Sequence, residues 1–443
     1  MKTMAAILGA CALAAVPALA ADPATIDWSK ISGKNVTLFY PGQSSYDWLL
    51  SPDHKKGDRQ VAQGKDCISC HEGDEADMGN KLAKGGPLEP DPIAGKNGVL
   101  KLNVQAAHDA EYLYFRFQWK TNLNREGRMI DYVRYDGKEW KFWGHERTDK
   151  SVRAGTQPPL YEDRLAIMVD DGKVPRFAEQ GCWLTCHNGM AETPGEATRD
   201  QVKQHPIFGD SGLKASDIRK YLPSTRTDDK ASWDKTKSRA EIDQVKAAGG
   251  FLDLWQWRAA RSGPVGMGDD GYVLEYRLSD AGKGVFSWNV DQKTMTPQFM
   301  FDANKLGFKA LRAEDIGNPS KPAAMVREAY AVAYDPNAGW KEGDILPGRL
   351  VSRASASGSV ADHDSAVATW KDGAYTLVWR RKLDTGNPAD DKIMKVGGAY
   401  TLGLAVHDDN VGGRYHFVSF PLKLGIGVDS NQNGVKPGFV LTS

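Results

Sequence analysis

One run of five residues constrains this chain more than any other: Cys67-Ile68-Ser69-Cys70-His71. Two cysteines at this spacing bring their sulfurs to one side of a helical turn, where each can bond a vinyl carbon of a porphyrin. The next residue then places an imidazole beneath the iron. A chain built this way must fold around a flat, covalently held group. The competing readings are a redox disulfide and half of a zinc site. A thioredoxin-like motif needs an alternating helix and strand context, and no second CxxC supplies further zinc ligands. The sequence therefore predicts haem c on Cys67 and Cys70, with His71 as an iron ligand.

Of the five cysteines, Cys11 lies in the first twenty residues, and the other four form two close pairs, each followed by histidine. The second pair is Cys182-Trp183-Leu184-Thr185-Cys186-His187, one residue longer than the first. That spacing leaves two readings open. One is a second haem c on Cys182 and Cys186 with His187 on the iron. The other is a local disulfide, since Cα atoms four apart on a helix lie about 6 Å apart, within bridging range. The retained histidine and the small neighbours Gly181, Asn188 and Gly189 favour haem. Each iron needs a ligand on its other face, commonly Met or His. For the first haem the candidates are His54, in the polar turn Ser51 to Gly57, and Met78, with Gly73 and Gly79 letting the chain wrap round the porphyrin edge.

The first twenty residues carry Lys2, an apolar stretch from Ala5 to Ala15, and the small-residue site Ala18-Leu19-Ala20, which reads as a secretory signal cleaved near Ala20. Leu8-Gly9-Ala10-Cys11 lies too near the start, inside the apolar run, to serve as a lipid-attachment site. Export to the periplasm is expected. No later stretch approaches the roughly 20 apolar residues that span a bilayer, so direct membrane insertion is not expected. Lys plus Arg and Asp plus Glu each number 57, and losing Lys2 with the signal leaves a formal charge of −1. Without a basic excess, a nucleic-acid partner is not expected. A nucleophile elbow, a phosphate-cradling glycine loop and an HExxH helix are all absent from the sequence.

The chain divides into the signal at 1–20, an N-terminal c-haem segment at 21–95 and a haem-binding unit at 96–443 holding the second motif at 182–187. The N-terminal segment is partly helical, around Tyr46 to Leu50 and Lys56 to Gly64. Beyond it the pattern turns to period two: in Tyr112 to Lys120, residues Leu113, Phe115, Phe117 and Trp119 share one face. Similar runs recur at Val99–Val104, Arg164–Val169, Tyr272–Leu278, Tyr375–Trp379, Tyr400–Val406 and Arg414–Leu424. Seven or more strands between turn signals predict a mostly β protein, an antiparallel β-sandwich with helical and loop excursions. Ser238-Arg239-Ala240-Glu241 is a capping box opening a helix towards Gly249-Gly250. Asp429-Ser430-Asn431-Gln432-Asn433-Gly434 opens like a calcium loop, but Val440 stands where the bidentate Glu belongs, so a polar turn is preferred.

Four stretches in order, Tyr161 to Met168, Gly181 to His187, Leu252 to Arg261 and Gly413 to Ser419, carry a resemblance. From about Val99 to Gly427 the chain resembles the haem-binding domain of ethylbenzene dehydrogenase-related proteins, whose relatives include gamma subunits of DMSO-reductase-type molybdoenzymes. The resemblance implies a β-sandwich holding haem between loops and strand ends, with electron transfer as its role. Those gamma subunits hold a non-covalent b haem through Met and Lys, whereas this chain adds attachment cysteines. His416 stands at the family's Lys position, which makes it the expected ligand opposite His187. Met168 stands at the Met position, where it also reads as a strand core residue.

The leading expectation is a periplasmic dihaem c-type cytochrome passing electrons between redox partners. Two alternatives stand beside it. One is a haem enzyme with an open iron position, served by proton donors such as His145, Glu146, Asp170 and Asp171. The other is an electron-transfer subunit of a molybdoenzyme complex. His407 and His145 rank as secondary candidate ligands, and Trp183, Trp255 and Trp257 as walls for the second haem.

Overall fold

The period-two segments form strands, and a computed structural model describes them within residues 22–427, apart from 123–126, 128–130, 214–217, 280–284 and 356–359. The segment read as a signal and the Asp429 to Gly434 stretch lie outside the described residues. Twelve strands share one sheet: β1 Gly33–Phe39, β2 Val99–His108, β3 Tyr112–Lys120, β4 Arg164–Asp170, β5 Leu252–Arg258, β6 Asp269–Val273, β7 Arg277–Ser279, β8 Ala366–Lys371, β9 Ala374–Lys382, β10 Ala399–His407, β11 Phe417–Val418 and β12 Leu422–Gly425. Their order is β8-β9-β3-β2-β1-β11-β10-β4-β5-β6-β7, with β12 also paired to β10, and the pairings are antiparallel.

The sheet folds over on itself, because strands far apart in that order meet through their aromatic faces. Phe115 of β3 lies 6.3 Å from Trp255 of β5, Trp119 lies 6.1 Å from Trp257, and Trp379 of β9 lies 6.2 Å from Trp255, ring centre to ring centre. These residues belong to one buried core that also takes in Leu165, Ile167, Leu404 and Val406. The expected sandwich is therefore two layers of a single continuous sheet. Removing one of these fully buried indoles would cost about 3–5 kcal/mol.

Three features depart from the pattern read in the sequence. Tyr272–Leu278 is a hairpin, β6 and β7, rather than one strand, closed by a bond from Leu274 N–H to the Tyr276 carbonyl at 3.1 Å. Arg414–Leu424 is split into β11 and β12 around Pro421, which has no N–H to give to a ladder. β1, unforeseen, pairs with β2 from Gly33↔Gln105 to Phe39↔Val99 and joins the haem-motif segment to the centre of the sheet.

Four short helices follow β1: α1 Tyr46–Leu49, α2 Gly57–Ala62, α3 Ile68–His71 and α4 Glu75–Ala83. Ser45 caps α1 by accepting from Trp48 N–H at 3.1 Å. α4 lies directly on the sheet because two glycines meet there; a Cβ on Gly79 would come within 2.1 Å of the Gly98 carbonyl oxygen. α5, Phe177–Gln180, precedes the second motif, and α6, Arg239–Ala247, opens with the predicted capping box in both directions. Smaller sheets, including Tyr132–Tyr135 with Trp140–Trp143 and Phe286–Trp288 with Arg349–Val351, stand beside the main sheet. Among the described residues no helix is long and apolar enough to cross a membrane.

Candidate functional site

The first motif sits on α3, with Cys67 as its N-terminal cap residue. The turn is set by Asp66, whose carboxylate accepts from Ser69 N–H at 2.7 Å. Cys67 N–H donates to the Glu179 carbonyl at 3.2 Å, and Arg176 donates to the carbonyls of Val61 and Ala62 at 2.9 and 2.8 Å. The helices are thereby fastened to α5. Burial pushes the Cys67 thiol up to about 12, while Cys70 is exposed and lies 3.3 Å from Gln60 Oε1.

His54 faces His71 across this motif. Their ring centres are 6.3 Å apart and their planes 20° from parallel. His54 Nδ1 donates to the Leu49 carbonyl at 3.0 Å, and His71 Nδ1 lies 3.5 Å from the Asp74 carboxylate, so each ring is anchored through Nδ1 with Nε2 left over. That is how metal-binding imidazoles are usually held. Trp48 packs 4.8 Å from the His54 ring, and only a glycine fits at position 57, where a Cβ would lie 2.5 Å from His54 Cε1. Met78 is packed, partly buried, against the apolar cluster around Phe39 and Tyr46.

The second motif occupies a buried 3-10 turn, Gly181–Thr185, next to a cavity of about 640 Å³. The cavity floor is one face of three neighbouring strands: Arg164, Ala166 and Met168 on β4, Leu254, Gln256 and Arg258 on β5, and Gly403, Ala405 and His407 on β10. Residues of the other parity, such as Ile167, Trp255 and Leu404, face the main core. Alternation thus gives β4, β5 and β10 two buried faces with different chemistry. Small residues keep the floor low, and a Cβ on Gly403 would come 2.8 Å from Cys182 Sγ. Cys186 lines the cavity directly, and no disulfide joins the two sulfurs. Burial pushes both thiols above their ordinary value, against the pull of Lys220.

His416 also lines the cavity. Its Nδ1 donates to the Gly413 carbonyl at 2.9 Å, leaving Nε2 over, and burial, helped by Lys220, holds the imidazole neutral by pushing it down to about 3. His407 stands beside it, ring centres 4.9 Å apart. His187 is placed differently. Its Nε2 donates to the Leu184 carbonyl at 3.1 Å, its Nδ1 lies 3.6 Å from Asp47, and its fully buried ring is stacked 4.3 Å from Tyr221 and edge-on to Tyr46 at 5.6 Å. It is not on the cavity wall.

α1 touches the second motif and the histidine that faces the first. Tyr46 N–H donates to the Cys186 carbonyl at 2.6 Å, Asp47 accepts from Asn188 N–H at 2.7 Å, and Trp48 reaches His54. Of the other sequence candidates, His145, Glu146 and Met168 line the cavity. Asp170 and Asp171 instead surround the buried Lys392 ammonium, at 3.6 and 2.5 Å. Trp183 packs between Phe39 and Phe420, and Trp255 and Trp257 lie in the main core. Sequence reasoning missed the basic character of the cavity, where eight Arg and Lys side chains stand against four Asp and Glu. The parity of Arg164 and Arg258 within their strands carried a signal, but which strands adjoin was not written there.

A family model described as ethylbenzene dehydrogenase matches residues 25–419. Cytochrome c-552 of Stutzerimonas stutzeri is 27% identical over 420 residues, covering 95% of this chain and 93% of its own. Cytochrome c-551 of Rhodocyclus tenuis is 31% identical over 170 residues, covering 38% of this chain and 58% of its own. The sheet, both cysteine motifs and the cavity floor fall almost wholly within the matched span, and the chain belongs to the ethylbenzene dehydrogenase family.

Proposed function

We propose that this protein is a dihaem c-type cytochrome of the periplasm that carries electrons between redox partners, a molybdoenzyme among the candidates. The observation that carries the reading is the His54 and His71 pair beside Cys67 and Cys70. With a metal–nitrogen bond of about 2 Å on each side, two imidazoles on opposite faces of one iron have ring centres roughly 6 Å apart, and these stand at 6.3 Å. The names of both relatives agree with covalent haem. Haem supplies a ferric and ferrous couple; the chain sets its potential through ligand, burial and hydrogen bonds.

In the cavity, Cys182 and Cys186 hold the second haem, and His416 offers it a neutral Nε2. His187 is the partner that the motif spacing suggests, and its ring would have to leave the Tyr221 stack and release the Leu184 carbonyl to serve. Met168, on the floor, is the rival. The near-infrared methionine-to-iron band decides between them: its loss in Met168→Leu assigns Met168, and its absence from the wild type assigns His187.

The test of the first site is carbon monoxide. The reduced wild type is expected to leave carbon monoxide unbound, whereas His54→Ala binds it at one of two haems; a variant indistinguishable from wild type contradicts the assignment. His145 and Glu146 on the cavity wall favour a second reading, a haem enzyme with an open iron position. Carbon monoxide binding by the reduced wild type would support that reading.

A further inference from the structure

The floor of the cavity has a direction. Cross-strand register places Met168 beside Gly403 and Leu254, Ala166 beside Ala405 and Gln256, and Arg164 beside His407 and Arg258. Four residues separate the first row from the last, which at strand rise is about 13 Å. The first row is the thiol end, where Gly403 lies under Cys182 Sγ. The last row begins a cluster of arginines.

Arg258, Arg261 and Arg349 gather round one ring, with guanidinium carbons 5.4, 5.2 and 5.9 Å from the centre of Phe286, and all three line the cavity. Three carboxylates brace them, Asp269 and Glu162 from outside the cavity and Asp131 from its wall. Asp269 lies 2.8 Å from Arg258 Nε, Asp131 lies 2.7 Å from Arg349 Nε, and Glu162 is shared, 3.1 Å from Arg261 Nε and 3.0 Å from Arg164 Nε. Burial works against the ionised form of Glu162, yet Arg261, Arg164 and Arg258 outweigh it and hold the carboxyl below its ordinary range. Four guanidiniums thus face three carboxylates in a largely buried space. Arg349 donates through Nε to Asp131, and Arg261 stands against Glu162 on its Nε side. A forked guanidinium fits a carboxylate in particular.

We propose that Arg258, Arg261 and Arg349 receive the propionate carboxylates of the cavity haem, fixing its opposite, vinyl edge on Cys182 and Cys186. The inference rests on the dihaem reading. A haem carries its vinyl groups and its propionates on opposite edges, and along the strand rows Cys182 marks one end while Arg258, Arg261 and Arg349 gather at the other; Lys220 and Arg414, nearer Cys186, also line the cavity. The arginines act as positioning residues: they orient the porphyrin for attachment and neutralise two carboxylates that would otherwise be buried without counter-charge.

The test compares the holoprotein with Arg258→Gln/Arg261→Gln and with the milder Arg349→Lys. Intact mass comes first, and a wild type with one covalent haem defeats the dihaem reading and the anchor together. With two haems present, resonance Raman difference spectra of variant minus wild type cancel the first haem and isolate the second. The propionate bending band is expected to fall in frequency in Arg258→Gln/Arg261→Gln and to fall less in Arg349→Lys. An unmoved band in both variants, with two haems attached, overturns the anchor and leaves the dihaem reading standing.

Discussion

Both motif histidines have an aspartate beside Nδ1 at nearly the same distance, and the surroundings make the two pairs unlike. His71 lies 3.5 Å from Asp74, with the side chains 35% and 56% exposed; His187 lies 3.6 Å from Asp47, with its own side chain fully buried. In the first region the imidazole is partly open to solvent and its ring faces a second histidine. In the second the ring is locked in an aromatic stack and its Nε2 is spent on a carbonyl, while a different histidine, His416, lines the cavity with its Nδ1 bonded to the Gly413 carbonyl. Two similar sequence motifs therefore lie in unlike frames: one on a short helix at the surface, the other against a sheet whose cavity face is already furnished. The difference teaches that the spacing of a motif does not by itself fix the surroundings of its histidine.

The largest expected effect separates the regions outright. In Gly403→Val a branched side chain enters the space beside Cys182 Sγ, where even a Cβ would stand at 2.8 Å. Overpacking of this kind costs about 1–3 kcal/mol, and mass spectrometry is expected to find one haem lost from the cavity and the surface haem retained. Two haems in the variant would break the claim that the floor must stay low. The reciprocal variant, Gly57→Ala, drives a methyl group into the His54 ring. Optical spectra after reduction and carbon monoxide addition should show one of two haems binding carbon monoxide, with the cavity haem unmoved.

Smaller effects sharpen the contrast. Asp47→Asn weakens the contact to a buried imidazole and the bond from Asn188 N–H, and should cost about 1–3 kcal/mol in denaturant unfolding. Asp74→Asn, at an exposed pair, should stay within about 0.5 kcal/mol. Equal losses would remove the distinction between the sites.

A further contrast, read as a pH dependence, comes from the core face behind the cavity. Asp253 of β5 accepts from Arg381 at 2.8 Å and from Lys392 N–H at 2.9 Å. Burial, with Asp391 beside it and Arg381 opposing, pushes its carboxyl up to about 7. A folded-state value above the unfolded one means that the fold binds the extra proton, so this group's contribution is full below about pH 4 and is lost as pH rises towards 7. The slope is at most about 1.4 kcal/mol per pH unit. Unfolding curves at several pH values should show that slope in the wild type and a flatter one in Asp253→Asn.

Much of the frame was legible in the residues. Leu113, Phe115, Phe117 and Trp119 announced a strand because their burial repeats every second residue, and the Ser238 to Glu241 box announced a helix start because its two bonds are local. His54 was legible as a ligand candidate, but its orientation depends on Gly57 and the Leu49 carbonyl, which only the folded turn brings together. The pairing of His407 with His416 and the gathering of Arg258, Arg261 and Arg349 rest on strand neighbours and on a short strand more than eighty residues away in the chain. Such contacts leave no periodic trace. The surroundings of His187 were hidden for the same reason: its stacking partner, Tyr221, lies far beyond its own motif.

The most direct test of the central claim is the intact mass of the mature protein made in a host that attaches c haems, with Cys67→Ala/Cys70→Ala and Cys182→Ala/Cys186→Ala beside it. The account predicts two covalent haems in the wild type and one in each variant. A single haem in the wild type, unchanged by Cys182→Ala/Cys186→Ala, would contradict it.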